Sequence, residues 1–202
     1  MIDRAIGYIW LARGLKYQSS RWVSDWRNPG AWDLPFSAAI RNKEISLNSI
    51  SDLRGVVDAL LPHVHYKWDP LGGAIDYITP PVTTLANGYA DCDDAAMISA
   101  CAVKYALKGW KARIVSYLTG PDWRLSHHVC AAVSPTGEIF AIQPYPEPGK
   151  QTDPLSGYAF KSFEHLATTG ASWYVDNVKV QGFDVRTQNW EVIDGGRWTW
   201  LN

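Results

Sequence analysis

Leu53, Val56, Val57, Leu60 and Leu61 recur at the three-and-four spacing of one helical face, so the segment from Ser51 to Leu61 predicts an amphipathic helix. Ser51 stands where an N-cap belongs, and Pro62 stands where a helix stops. A second helix is expected from about Cys92 to Leu107. Asp91 suits its cap, Asp93 and Asp94 suit the positive end of its dipole, and Gly109 suits its end. Its expected apolar face holds Ile98, Cys101, Ala102 and Tyr105. Past this helix, Ala112 to Leu118, His128 to Val133 and Glu138 to Ile142 are rich in β-branched and apolar residues and bounded by turn formers. They predict three strands, of which the last two form a hairpin.

Between the helices, a turn-rich passage runs from Trp68-Asp69-Pro70-Leu71-Gly72-Gly73 through Thr79-Pro80-Pro81 to Asn87-Gly88-Tyr89. Residues 1–47 mix aromatic residues with turn formers such as Asn28-Pro29-Gly30, which predicts an N-terminal extension made of a short helix and irregular connections. Beyond Lys150 the pattern weakens. Ser162 to Ala167 predicts a helical turn, and Trp173 to Val180 and Phe183 to Val185 predict strands. No internal repeat divides the chain. One α+β domain over residues 48–202, including a C-terminal extension, is the expected organisation.

Composition changes this picture little. Hydrophobic residues make up 47% of the 202 and charged residues 19%, as in an ordinary globular protein. A net charge of -1 gives no broad electrostatic basis for binding nucleic acid or an acidic membrane. No apolar run reaches the length of a membrane span. The stretch from Ile6 to Leu15 contains Arg13 and lacks a small-residue cleavage site, so no signal peptide is expected and the chain is expected to be cytoplasmic as synthesised. The eleven tryptophans, among them Trp190, Trp198 and Trp200, are expected to serve packing rather than a glycan platform.

The candidate chemistry begins with cysteine. Three of them, Cys92, Cys101 and Cys130, are too few for a disulfide framework and leave at least one free thiol. Cys92 falls at a helix N-terminus, where the dipole favours thiolate, although Asp91, Asp93 and Asp94 oppose it wherever their charges face the sulfur. His128 opens a strand 36 residues later, behind Gly120-Pro121-Asp122, where a helix-to-sheet return could set an imidazole beside the thiol. A third group must orient that ring. If Ser134-Pro135-Thr136-Gly137 closes the hairpin as a two- or four-residue loop, His128 faces Gln143 across the ladder. A three-residue loop with Gly137 in a bulge shifts the register by one and removes that pairing.

The other candidates have plainer readings. Cys101 and Cys130 are expected in the core, and His127 should point to the sheet face opposite His128. His63 and His65 with Asp69, or His127 and His128 with Cys130, offer metal-ligating atoms. A His-x-His pair is common by chance and no C-x-x-C supports it, so neither metal nor cofactor is expected. Gly72-Gly73 lacks the lysine and helix start of a phosphate loop.

Taken together, Tyr66 to Pro70, Ile75-Asp76-Tyr77, Pro80-Pro81-Val82-Thr83-Thr84-Leu85 and Asn87-Gly88-Tyr89-Ala90-Asp91-Cys92-Asp93-Asp94-Ala95-Ala96 resemble bacterial and phage transglutaminase-like cysteine proteins of the papain-like superfamily. The likeness continues through Leu107 to Arg113 and His128 to Val133 and covers about residues 66–144. It implies a papain-like fold in which a central helix bearing the cysteine packs on an antiparallel sheet. It also implies Cys92 as nucleophile and His128 as base, with Ile142-Gln143-Pro144 standing where the family shows an L-D-P-like run and Ala90 where it tends to have glycine. Gln143 would then orient the ring without offering it a charge. The activity implied is cleavage of a peptide or amide bond, in a peptide, a protein or a cell-wall peptide. The alternatives are acyl transfer to an amine, and a virion or assembly protein of a phage that meets other virion proteins and uses the fold as a scaffold.

Overall fold

Asp52, rather than Ser51, begins the first helix: its Oδ1 accepts the Gly55 N–H at 2.8 Å and its carbonyl accepts the Val56 N–H. The structure is a computed structural model and describes residues 45, 51–67, 79, 81–120, 127–143, 153–172, 179–187 and 192–200. Helix α1 (Leu53–Leu60) buries Leu53, Val56, Val57 and Leu60, as its spacing predicts. The α-helix ends at Leu60, ahead of Pro62 as expected, and Pro62 sits near the start of a 3-10 turn, Leu61–His63, where a missing N–H costs nothing. Strand β1 (His65–Tyr66) then pairs in parallel with β2 (Tyr89–Ala90).

Helix α2 (Pro81–Asn87) occupies part of the passage expected to be turns. The punctuation there bounds a short helix instead of forbidding one. Proline stands at its first position, and Gly88, at φ +75°, follows its last and donates to the Thr84 carbonyl. Helix α3 (Cys92–Ala106) starts where expected, with the Asp91 side chain accepting from the Asp94 N–H. Its predicted stripe is too narrow, however. Every residue from Asp93 to Ala100 is buried, along with Ala102 and Val103, while Cys101 is half-buried and Tyr105 is exposed. A helix covered on all sides shows no polar face, and α3 lies between α1 and α2 on one side and the sheet on the other.

That sheet consists of β3 (Lys111–Gly120), β4 (His127–Val133), β5 (Ile139–Ile142), β6 (Lys179–Arg186) and β7 (Val192–Trp200). Its order is β5-β4-β3-β6-β7 with every neighbour antiparallel. Side chains alternate across it. Ala112, Ile114, Cys130, Ala132 and Ile142 join the core under α3, whereas Val115, Tyr117, Val129, Ala131 and Ala141 pack with helix α4 (Phe163–Ser172) on the other face. Cover on both faces explains why β3 and β4 read as nearly continuous apolar runs. The architecture is a mixed α+β one in which the helix bearing Cys92 packs against an antiparallel sheet.

The hairpin takes the three-residue option. Cys130 pairs with Ile142 and Val133 with Ile139, the Ser134 N–H donates to the Glu138 carbonyl, and Gly137 has φ +92°. Glycine adopts that left-handed conformation without the steric cost a Cβ brings. Continued one step, this register sets Gln143 against Val129 rather than His128.

Elsewhere the helical turn expected over Ser162 to Ala167 is the start of the ten-residue α4, capped by Ser162 Oγ, which accepts the His165 N–H at 3.0 Å. Phe183 to Val185 lies within β6. Strand β7, which carries Trp198 and Trp200, has no expectation above; Gly195-Gly196 and the irregular register against β6 hide its alternation. The expectations for residues 1–47 apart from Ile45, for Trp68 to Gly73, for Pro121 and Asp122, for residues 173–178 of the proposed strand and for Trp190 lie outside the described residues. Ile45 itself is buried in the core under α3.

Strand β6 also takes two charges inside. The Arg186 guanidinium donates to both oxygens of Asp184, through Nε at 2.9 and 3.1 Å and through one terminal nitrogen, and both residues are buried. Removing one partner of such a pair strands the other charge. Arg186→Met is expected to cost about 3–5 kcal/mol, measured as a lower urea midpoint at pH 7 with an unchanged slope.

Candidate active site

Asp91 fixes where α3 begins, and therefore where Cys92 sits. Cys92 is the first residue of the helix, half-buried, among the N–H groups that the helix itself leaves without partners. Asp91 and Asp93 flank it, and the donor atoms of Asp91, Cys92 and Asp93 lie within 4.8 Å of one another. Among the described residues this is the group close enough to share a cation. Its carboxylates already serve the helix: Asp93 Oδ1 accepts the Asp94 N–H at 2.9 Å and Asp91 Oδ1 accepts it at 3.5 Å. Asp94 in turn accepts the Thr79 N–H, which ties the segment before α2 to the first turn of α3. His63 and His65 do not join such a group among the described residues, and Asp69 lies outside them.

His128 is the second residue of β4, on the face toward α3. Tyr66, Cys92, Ala95, Ala96, His128, Ile142 and Gln143 line one small pocket. The three residues expected from sequence thus meet at a single cavity, between the start of α3 and the starting end of β4.

The partner at the His128 ring was not anticipated. Nδ1 lies 2.7 Å from Ser116 Oγ, and Ser116 is the direct cross-strand neighbour of His128 on β3. Burial is the main influence on the ring's charge, followed by the Arg186 cation and His127; together they pull its pKa from 6.5 to about 3. The imidazole is neutral at neutral pH.

Gln143 is buried, at 5% exposure, just past the end of β5. Its amide acts on the ring of His127. His127 lies across the sheet from His128, half-buried, with its ring 5.6 Å from that of Tyr117. Desolvation lowers its pKa to about 3, against a smaller upward pull from Gln143. Cys130 is fully buried and desolvation pushes its thiol far up, so it is an inert core residue; half-buried Cys101 packs against the same core.

Three residues near the site escaped the sequence reading: Ser116, Asp184 and Arg186. The signal was a polar residue inside an apolar run, Ser116 between Val115 and Tyr117 and Asp184 between Phe183 and Val185. Strands buried on both faces have few such residues, and those they have need partners.

Compared with known protein families and with curated proteins, the chain matches none. Among the described residues no helix is long and apolar enough to cross a membrane.

Because both histidines have folded pKa values near 3 and unfolded values near 6.5, the unfolded chain binds more protons between those limits. Stability is then fully present above pH 6.5 and falls as pH drops toward 3. The urea midpoint is expected to decline from pH 7 to pH 4.5, and to decline less steeply in His127→Gln, which removes one of the two groups.

Proposed function

We propose that the protein is a cysteine-dependent hydrolase of peptide or amide bonds, with a papain-like, transglutaminase-like arrangement of helix and sheet. The observation that carries this reading is the shared cavity of Cys92 and His128, one at the first turn of a buried helix and the other at the start of the strand packed against it. In the proposed reaction the Cys92 sulfur attacks the carbonyl carbon while its proton passes to His128 Nε2. The tetrahedral oxyanion is met by N–H groups at the α3 terminus, that of Cys92 among them. His128 then returns the proton to the leaving nitrogen, the C–N bond breaks, and water releases the acyl group from sulfur by the same route in reverse. A neutral imidazole suits this sequence, because it holds an open lone pair at neutral pH.

A scaffold reading draws on one particular observation. Gln143 stands where the family resemblance calls for an aspartate, and its buried amide acts on His127 rather than on His128. In that reading the fold serves assembly, as in a virion protein, and the thiol is dispensable.

Iodoacetamide separates the two at the level of the thiol. Cys92 is expected to be alkylated fast and selectively in the native protein, with Cys101 and Cys130 labelled only after unfolding; equal native labelling of Cys101 would exclude an activated Cys92. Peptide release from a labelled protein substrate or from cell-wall peptide should vanish in Cys92→Ala, by a factor on the order of 10³ or more. Incorporation of a labelled amine into a glutamine donor, without peptide release, would move the assignment to acyl transfer.

A further inference from the structure

His128, Ser116 and Asp184 stand in one row across three neighbouring strands. Ser116 pairs with His128 on β4 and with Asp184 on β6, so all three point to the α3 face of the sheet. Direct cross-strand neighbours sit about 5 Å apart at Cβ. Ser116 and Asp184 are both at 0% exposure, and a serine hydroxyl so deep in the fold needs a partner. The 2.7 Å contact with His128 Nδ1 supplies one.

We infer that Ser116 is the positioning residue of His128, in the place that Gln143 was expected to fill, and that the Asp184–Arg186 pair holds this seat rigid from the next strand. The inference rests on the thiol–imidazole reading above and names what makes that imidazole a base. A neutral imidazole carries its proton on one nitrogen only. With Nδ1–H donating to Ser116 Oγ, Nε2 keeps the lone pair that receives the Cys92 proton. When that proton arrives, the ring becomes an imidazolium donating from both nitrogens, and Ser116 still accepts from Nδ1. Loss of the proton to the leaving nitrogen restores the starting tautomer, so nothing is consumed at Ser116.

Gln143 is poorly placed for this work. Although it lines the same pocket, the three-residue hairpin loop sets it against Val129 rather than His128 when the register is continued one step, and its amide acts on His127. The charged pair behind Ser116 has a separate effect. Three hydrogen bonds from Arg186 occupy both oxygens of Asp184, so the carboxylate is neutralised locally instead of reaching the ring as a free charge. His128 therefore has a neutral orienting partner, and the cation opposes its protonation.

The test reads the tautomer directly. Nitrogen-15 spectra of the full chain, labelled at histidine and recorded at pH 7, are expected to show His128 protonated at Nδ1. In Ser116→Ala that tautomer should lose its dominance, and alkylation of Cys92 by iodoacetamide should slow about fivefold, the worth of one neutral hydrogen bond. Ser116→Thr, which keeps the hydroxyl, should restore both the spectrum and the rate to within about twofold of the unaltered chain; a purely structural serine would leave the tautomer unmoved in all three proteins. If Cys92 labels selectively but the tautomer is unchanged in Ser116→Ala, or shifts instead in Gln143→Ala, the assignment to Ser116 is overturned while the thiol–imidazole reading stands. Unselective labelling of the unaltered chain overturns that reading and the inference with it.

Discussion

The burial of α3 from Asp93 to Ala100 is the constraint on which the rest of this structure depends. Its small residues, Ala95, Ala96, Ala100 and Ala102 among them, let the sheet approach closely from one direction and α1 and α2 from the other. A close-packed helix can neither slide nor rotate without displacing neighbours on both sides. Cys92, at the end of that helix, inherits this fixed position. The capping bonds from Asp91 and Asp93 and the tie from Asp94 to Thr79 hold the one end that packing alone would leave free to fray.

The same burial explains what could and could not be read from the sequence. Elements with one wet face, such as α1, announce themselves through periodicity, and α1 was legible to within a residue or two. The start of α3 was legible from Asp91 and its acidic first turn, but its stripe was not, because a helix without a polar face has no period to find. Helix α2 was obscured by the prolines and the Asn-Gly pair that bound it, and β7 by glycines and bulges. These are cases in which local punctuation outweighed a pattern only tertiary contacts complete.

The site was legible to the same partial degree. Cys92 and His128, which line one pocket, could be nominated because each has a local signature, a helix start and a strand start. The orienting group could not be settled by such signatures. Gln143 was nominated by likeness and by one of two loop geometries, while Ser116 lies on a strand earlier in the chain than His128 and becomes its neighbour only through the β3–β4 ladder. Nothing within a short window of sequence marks that pairing. What was visible was the oddity of a polar residue at the centre of an apolar strand.

Gly137 lies at the far end of the β4–β5 hairpin from the cavity, yet its left-handed backbone has a reach that spans the strand. Because side chains alternate with every residue, a loop of three residues rather than two or four decides on which side of the sheet all of β5 presents its residues. The loop thereby sets Gln143 out of line with His128, so that its amide acts on His127 while His128 has Ser116 of β3 beside it. A family of chains sharing this hairpin could exchange the partner of its imidazole by inserting or deleting one residue some 20 Å away, at about 3.4 Å per strand residue, without altering any side chain near the thiol.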